Sequence, residues 1–311
     1  MQPIDERLAD AYSAHRRTLL AVAYRMLGSF TDAEDVVQDA FLRFRRALES
    51  GERPESDRAY LMTITSRLAI DELRSARVRR EEYVGPWLPE PAVEGLTELA
   101  DDIALADSLS TAFLVLLERL GPEQRAVLLL HDVFALTFPE VARIVGKSEE
   151  ACRQIGARAR RHVSEGRPRF TAQTREAEAL ADRFWAAARE GDLEGLVGLL
   201  AEQAEFVGDG GDSGRGLTRP VSGAEAVAHV VLAIFRLIRE LGGTTESVRV
   251  GSQPAVLVLD DRGDLAAVWS LVIETDRIVA VHGMVNPEKL GHLGVPLTSL
   301  DGRATWHSRP R

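Results

Sequence analysis

"KSEEACRQIGARARRH", Lys147 to His162, holds five lysines and arginines in a chain whose formal net charge is −10. Cys152, Ile155, Ala159 and Val163 recur three or four residues apart, the spacing of one buried helical stripe. Glu150, Arg153, Gln154, Ala157 and Arg158 then face outward. Ser148 can cap the start of this helix, and Gly146 can end a shorter one over Phe138–Val145. Val141 and Ile144 offer that shorter helix a face to pack on the stripe, and Ala142 lets the two helices cross closely. Two helices joined by a tight turn, the second with long donors outside, make a helix-turn-helix with a recognition helix. Arginine reads guanine with two donors, and glutamine reads adenine. Arg158, Arg160 and Arg161, toward the C-terminal end, are better placed for phosphate. A solvated basic helix end, favoured by the macrodipole, has the same composition.

A second basic cluster lies on a helix predicted from Asp57 to Glu82. Tyr60, Thr63, Arg67 and Arg74 recur on one face with Arg77 close by; Leu61, Ile64 and Leu68 form the apolar stripe opposite. Cations beside an aromatic ring suit single-stranded or melted nucleic acid, where the ring stacks a base and the cations hold phosphate. A surface helix rich in arginine is the plainer reading. Two such helices joined by a flexible linker imply a bipartite DNA target, gripped by two cationic surfaces hinged apart. Upstream, Thr31 and Glu34 have the form of a capping box. The helix they would open places Val37, Phe41, Phe44 and Leu48 on one side and Asp32, Asp35, Gln38 and Asp39 on the other.

The 311 residues suggest two or three domains, and a 45% hydrophobic content suffices to build their cores. No apolar run reaches the ~18–20 residues of a membrane span, so no membrane partner is expected. The opening MQPIDERLAD lacks the apolar core of a signal peptide. Cys152 is the single cysteine, which excludes an internal disulfide and a cysteine-rich metal site; a cytoplasmic location and no metal or cofactor are expected. An acidic body with two basic helices is unlike a free-standing DNA binder. It suits a protein that meets DNA only when another body helps to hold it there.

Residues 10–80 read as helix with few breakers, and 99–119 and 120–163 as further helices. "VGPWLPEPAVEG" (84–95), with three prolines, reads as an extended linker. From Arg175 two helices lead to a glycine-rich loop (208–216), another helix (223–241) and four strand-like runs: an α+β domain with an antiparallel meander.

"YRMLGSFTDAEDVVQDAFLRF" (24–44), "AYLMTITSRLAIDELRSARVRRE" (59–81) and "LGPEQRAVLLLHDVFALTFPEVARIVGKSEEACRQIGARARR" (120–161) resemble an extracytoplasmic-function sigma factor of bacterial RNA polymerase. "GPWLPEP" (85–91) and "NPEKL" (286–290) resemble its SigJ-type group, which carries a SnoaL-like domain after the two sigma domains. The resemblance implies a multidomain chain. Two all-α sigma domains precede an α+β SnoaL-like cone with a curved antiparallel sheet. The implied boundaries are 8–83 (sigma region 2), 84–98 (linker), 99–165 (sigma region 4), 166–174 (second linker), 175–290 (SnoaL-like) and 291–311 (tail).

The implied partners are core RNA polymerase and promoter DNA. Asp32, Asp35, Gln38 and Asp39 would dock on polymerase. Tyr60, Thr63, Arg67, Arg74 and Arg77 would meet the −10 element. Glu150, Arg153, Gln154, Arg158 and Arg161 would meet the −35 element. Polymerase then supplies the affinity that an acidic body lacks. The chain departs from the family where Tyr60 replaces tryptophan and Arg67 replaces asparagine. "DGGDS" (209–213) stands where the group has "DGGGK", without the lysine.

SnoaL-like cones include cyclases and isomerases, for which Asp209, Asp212, His229, Asp276 and His282 are the candidate acid–base groups here. All four tyrosines precede the domain, which leaves it no tyrosine donor for an oxyanion, and Trp185 and Trp269 read as core. The expectation is therefore a regulator without catalytic residues. Trp87, Leu88, Pro89, Asp209, Asn286, Pro287 and Lys289 are expected to make an intramolecular regulatory contact between the SnoaL-like domain and the sigma domains. An unidentified small-molecule ligand is a further candidate partner. A ligand-responsive helix-turn-helix repressor leaves the acidic helix and the first basic helix unexplained. An isomerase or cyclase with a DNA-binding appendage is the third class.

Overall fold

The computed structural model describes residues 3–81, 83–100, 107–166, 174–213 and 216–297. The chain forms two compact units, Met1–Glu81 with Leu114–Arg167, and Glu82–Phe113 with Pro168–Arg311. Among the described residues no helix is long and apolar enough to cross a membrane.

The first unit is helical: α1 (Ile4–Leu27), α2 (Phe30–Glu49), α3 (Asp57–Glu81), the end of α4 (Thr111–Leu117), α5 (Pro122–Leu128), α6 (Phe138–Val145) and α7 (Glu149–Gly166). A π-helical turn, Leu129–Val133, continues α5. α2 buries Val37, Phe41, Phe44 and Leu48, the stripe its sequence predicts. Its cap, however, is Ser29, whose hydroxyl accepts the Asp32 amide at 3.1 Å, not Thr31. Gly28, at φ 71°, ends α1 in the left-handed region and turns the chain two residues earlier than the Thr31–Glu34 pattern suggests.

The buried face of α3 also differs from expectation. Ile64 and Leu68 are half-buried, while Leu61, Met62, Thr65, Ser66, Ala69, Ile70 and Leu73 are buried. Thr65, Ser66 and Ala69 are small, so the helix turns a narrow face inward where apolarity alone would select the bulkier side.

In the helix-turn-helix, Gly146 (φ 73°) ends α6 and Ser148 caps α7 by accepting the Ala151 amide at 3.2 Å. Cys152, Ile155, Ala159 and Val163 are buried as expected. The close approach of α7 to α5 adds Gly156, where a Cβ would stand 3.4 Å from Val127. Residues 99 and 100 lie in a turn, closed by the Ala100 amide donating to the Thr97 carbonyl at 3.2 Å, where a helix was expected from 99. Residues 101–106 and most of the predicted second linker (167–173) lie outside the described residues.

In the second unit α8 (Thr174–Glu190), α9 (Leu193–Leu199) and α10 (Ala224–Glu240) pack on one six-stranded sheet. The strands are β1 (Leu200–Asp209), β2 (Val221–Ser222), β3 (Thr244–Val250), β4 (Gln253–Leu259), β5 (Leu265–Glu274) and β6 (Arg277–Met284), ordered β2-β1-β6-β5-β4-β3. The meander β3–β6 is the predicted one. The sheet is mixed, not wholly antiparallel, because β1 pairs with β6 in parallel. A parallel pair needs a long crossover, and the intervening α10 and meander supply it. β1 is not among the expected strands, because polar Glu202, Gln203 and Glu205 mask the alternation of buried Ala204, Phe206 and Gly208.

Phe184, Trp185, Phe206, Phe235 and Trp269 form an aromatic core between the sheet and the helices. The two tryptophans fill this core. α11 (Pro287–Leu290) follows β6. Within residues 291–297, expected as the start of a tail, Leu293 is buried and Leu297 bridges to Leu265 at the start of β5. Residues 298–311 lie outside the described residues.

Candidate interaction surfaces and a linker clasp

The proline-rich segment after α3 is extended but not free. Leu88 to Val93 are buried, and residues 92–94 are stitched to the sheet edge. There Val93 bridges to Val250 in β3, the Glu94 amide donates to the Arg249 carbonyl, and the Gly251 amide to the Ala92 carbonyl. A segment that would be a spacer in isolation becomes a strand-like flank of the C-terminal domain.

Asp209, at the end of β1, is fully buried and accepts from four donors. These are the Tyr83 hydroxyl at 2.6 Å, the Leu88 amide at 2.7 Å, Lys289 Nζ at 2.7 Å and the Gly211 amide at 3.2 Å. Lys289 also donates to the Leu88 carbonyl at 2.7 Å, and its ammonium lies 4.2 Å from the Trp87 ring centroid and 4.7 Å from that of Tyr83. Asn286 caps α11 and donates to the Tyr83 hydroxyl at 3.0 Å. Burial, then the neighbouring carboxylate, pushes the Tyr83 hydroxyl far above its usual range.

Gly211, at φ 51°, has to be glycine, since a Cβ there would lie 2.5 Å from Asn286 Nδ2. His292 Nε2 contacts the Pro91 carbonyl at 3.0 Å, one further tie. A buried carboxylate and ammonium hold together only when their remaining hydrogen-bonding capacity is met, and here linker backbone meets it. Trp87, Leu88, Asp209, Asn286 and Lys289 are thus brought together, with Pro89 buried alongside and Pro287 opening α11.

Tyr83 belongs to this cluster, contrary to the expectation that the tyrosines stay away from the domain. Its spacing from Trp87, two aromatic rings around one ammonium, is the signal that sequence reading passed over. Asp212, His229 and Asp276 are exposed on separate elements, and His229 Nδ1 is turned to the Glu225 carbonyl at 2.8 Å. Burial pushes the His282 imidazole down to about 4.

On α7, Glu150, Arg153, Gln154, Arg158 and Arg161 are exposed, while Arg160 pairs with Asp132 at 2.9 Å. The face of α3 is differently disposed. Tyr60 packs on Phe44 and its hydroxyl donates to Glu52 at 3.2 Å; Thr63 donates to the Ala59 carbonyl at 2.8 Å. Arg67 donates to the Ile144 carbonyl at 3.1 Å and the Arg143 carbonyl at 2.8 Å, the last turn of α6. Arg74 pairs with Asp71 at 3.0 Å and reaches Glu123 at 3.4 Å, and Glu123 also holds Lys147 at 3.1 Å. The Arg77 side chain lies outside the described residues.

The two basic helices are therefore not hinged apart, because α3 packs on α5 and α6 within one unit. Helix-end carbonyls lack intrahelical donors and attract a cation, and Arg67 supplies it.

On α2, Asp35 and Gln38 are exposed, and Asp32 and Asp39 are half-buried; Asp39 pairs with Arg43 at 2.9 Å. Beside them a groove of about 470 Å³ runs between α1 and α2, floored by Leu20, Val37 and Phe41 and rimmed by Tyr12, Gln38 and Leu42. Tyr12 and Leu42 are 47% and 46% exposed, an apolar pair that the acidic pattern did not reveal.

Residues 11–79 match the family Sigma-70 region 2, and residues 110–163 match Sigma-70, region 4. The chain is 36% identical over 309 residues to the ECF RNA polymerase sigma factor SigJ of Mycobacterium tuberculosis, covering 96% of this chain and 97% of that one. It is 34% identical over 289 residues to the probable ECF RNA polymerase sigma factor SigI of the same organism, covering 92% and 96%. The crystal structure of M. tuberculosis SigJ superposes with a TM-score of 0.72 at 32% identity, over 91% of this chain and 98% of that one.

Proposed function

The chain belongs to the extracytoplasmic-function sigma factors, which direct promoter-specific initiation with core RNA polymerase, and from that premise we propose that the linker clasp restrains its output in cis. The buried Asp209–Lys289 pair carries the reading, because both partners also hold linker backbone at Leu88. The −10 and −35 elements lie roughly 80 Å apart along duplex DNA at about 3.4 Å per base pair. Residues 82–110 join α3 to α4, which leads into the helix-turn-helix. Fully extended, a free segment of that length would reach roughly 100 Å. Pinned at Tyr83, Leu88 and residues 92–94, it has much less chain to give. Loosening the clasp lengthens the tether and allows both elements to be engaged together.

In this reading Asp32, Asp35, Gln38 and Asp39, with Tyr12 and Leu42, form the polymerase face. Glu150, Arg153, Gln154, Arg158 and Arg161 meet the −35 element. Tyr60, Thr63, Arg67, Arg74 and Arg77 meet the −10 element after Arg67 and Arg74 leave region 4. The C-terminal domain acts by contact and not by turnover, supported by the separation of its exposed acid–base candidates. The protein works in the cytoplasm, where its polymerase is.

Run-off transcription with core polymerase tests this. Lys289→Met, and separately a chain ending at residue 285, are expected to raise output from a matched promoter severalfold over the full chain. Output unchanged or lowered in both would overturn the restraint. Withholding of the −10 face has its own test. Glu123→Gln removes the region 4 partner of Arg74 without touching a proposed −10 contact. It is expected to tighten binding of single-stranded −10 DNA by the free full-length chain about two- to fivefold, the scale of an exposed pair. Lys147→Gln, which leaves the Arg74–Glu123 contact in place, is the control and is expected to produce no such gain.

A further inference from the structure

α6 opens on Phe138, fixed as the first helical residue by a capping box. The Thr137 amide and hydroxyl both donate to Glu140 Oε2, at 2.8 and 2.6 Å. The half-buried Phe138 ring meets two groups from outside α6. The His131 ring stacks on it with centroids 4.0 Å apart and planes 30° apart, and His131 is itself anchored through Nδ1 to the Leu136 carbonyl at 2.7 Å. The Arg153 guanidinium carbon lies over it, 5.3 Å from its centroid. Glu149, one turn earlier on α7, pairs with the same guanidinium.

We infer that Phe138 is a positioning residue for −35 reading: it holds the Arg153 guanidinium in the orientation that a guanine edge requires. This deepens the proposed function and rests on Arg153 meeting the −35 element as assigned there, by reading a base edge.

Arg153 is 57% exposed, so without a support its long side chain would sweep many rotamers. Each ordered rotamer has to be selected at binding if it is not selected beforehand. Bidentate reading of guanine is demanding, because two N–H donors must lie in the plane of the base. An aromatic ring suits that demand. It attracts the cation through the guanidinium face and leaves the in-plane N–H groups free to donate. The ring comes from α6 and the arginine from α7, so the contact also ties the direction of the reader to the angle between the two helices. Glu149 occupies one edge of the guanidinium in the free protein and leaves when a base edge takes its place. His131 and the capping box keep the ring from rotating away. A branched aliphatic side chain would fill the same volume and give none of this orientation.

The test is run-off transcription by core polymerase with the full-length chain, on templates carrying each −35 base pair replaced in turn. Arg153→Ala identifies the pair that Arg153 reads, as the position where discrimination falls about 5- to 150-fold, the range for one bidentate contact. Phe138→Leu is expected to lose about two- to fivefold at that same pair and nowhere else, the scale of an exposed cation–π contact. Its salt dependence is expected to stay unchanged, since no phosphate contact is removed. Phe138→Tyr and Phe138→Trp, which keep a π face, are expected to restore discrimination. The inference is overturned if Phe138→Leu leaves that pair unaffected while Arg153→Ala alters it, if the loss spreads evenly over all pairs, or if the tyrosine and tryptophan variants fail to restore it. Unchanged discrimination in Arg153→Ala overturns the base-reading role first, and the positioning role with it.

Discussion

Asp209→Ala is expected to destabilise the C-terminal unit by about 3–5 kcal/mol, the cost of leaving a buried charge without its partner. The substitution removes the carboxylate that neutralises the buried Lys289 ammonium and takes the acceptor from the Tyr83 hydroxyl and the Leu88 and Gly211 amides. At a slope of about 2 kcal/mol per molar urea, the transition of that unit moves roughly 2 M lower. Chymotryptic cleavage after Trp87 accelerates in parallel, because the linker loses its hold on the domain. Asp209→Leu combined with Lys289→Met removes both charges and is expected to cost much less, as buried pairs replaced by apolar groups usually do. A single alanine variant as stable as the parent, with an equally protected linker, would remove the clasp from the account of regulation.

The second large effect is on acid stability. His282 is buried on β6 with its Nδ1 unpartnered, and burial alone lowers its pKa from the usual 6.5 to about 4. In the unfolded chain the imidazole regains its ordinary value, so as pH falls the unfolded state takes up the proton first. His282 therefore leaves stability intact above pH 6.5 and removes it progressively as pH falls toward 4. Over 2.5 pH units at 1.36 kcal/mol each, the loss is about 3 kcal/mol. Denaturant titrations of the parent and His282→Gln between pH 7 and 4 measure it as the difference in slope. Parallel profiles would mean that the imidazole is hydrated in the folded protein. The same burial keeps this histidine neutral near pH 7 and away from solvent, which is poor placement for a general base that must exchange protons.

Much of the helical half was legible because its information is local. The stripe Cys152–Ile155–Ala159–Val163, the stop at Gly146 and the start at Ser148 are periodic or capping signals a few residues long, and each reappears in the structure. Where the local signal was ambiguous the reading slipped. Thr31 looked like a cap, yet Gly28 and Ser29 had already turned the chain. β1 is missing from the expected strands because its exposed side is acidic. Ile64 and Leu68 outranked Thr65 and Ser66 by apolarity, though close packing selected the small pair.

By itself the sequence determined the helix-turn-helix, the meander and the acidic face of α2, since period and capping are encoded within a turn or two. Tertiary structure alone decided which polar groups meet. It turned Arg67 from an open DNA-facing cation into a donor to the end of α6, and it joined Asp209 to Tyr83 and Lys289 across separations of 126 and 80 residues. The physical reason is that a charge removed from water must find a partner within about 3 Å, and the folded backbone sets which residues come that close.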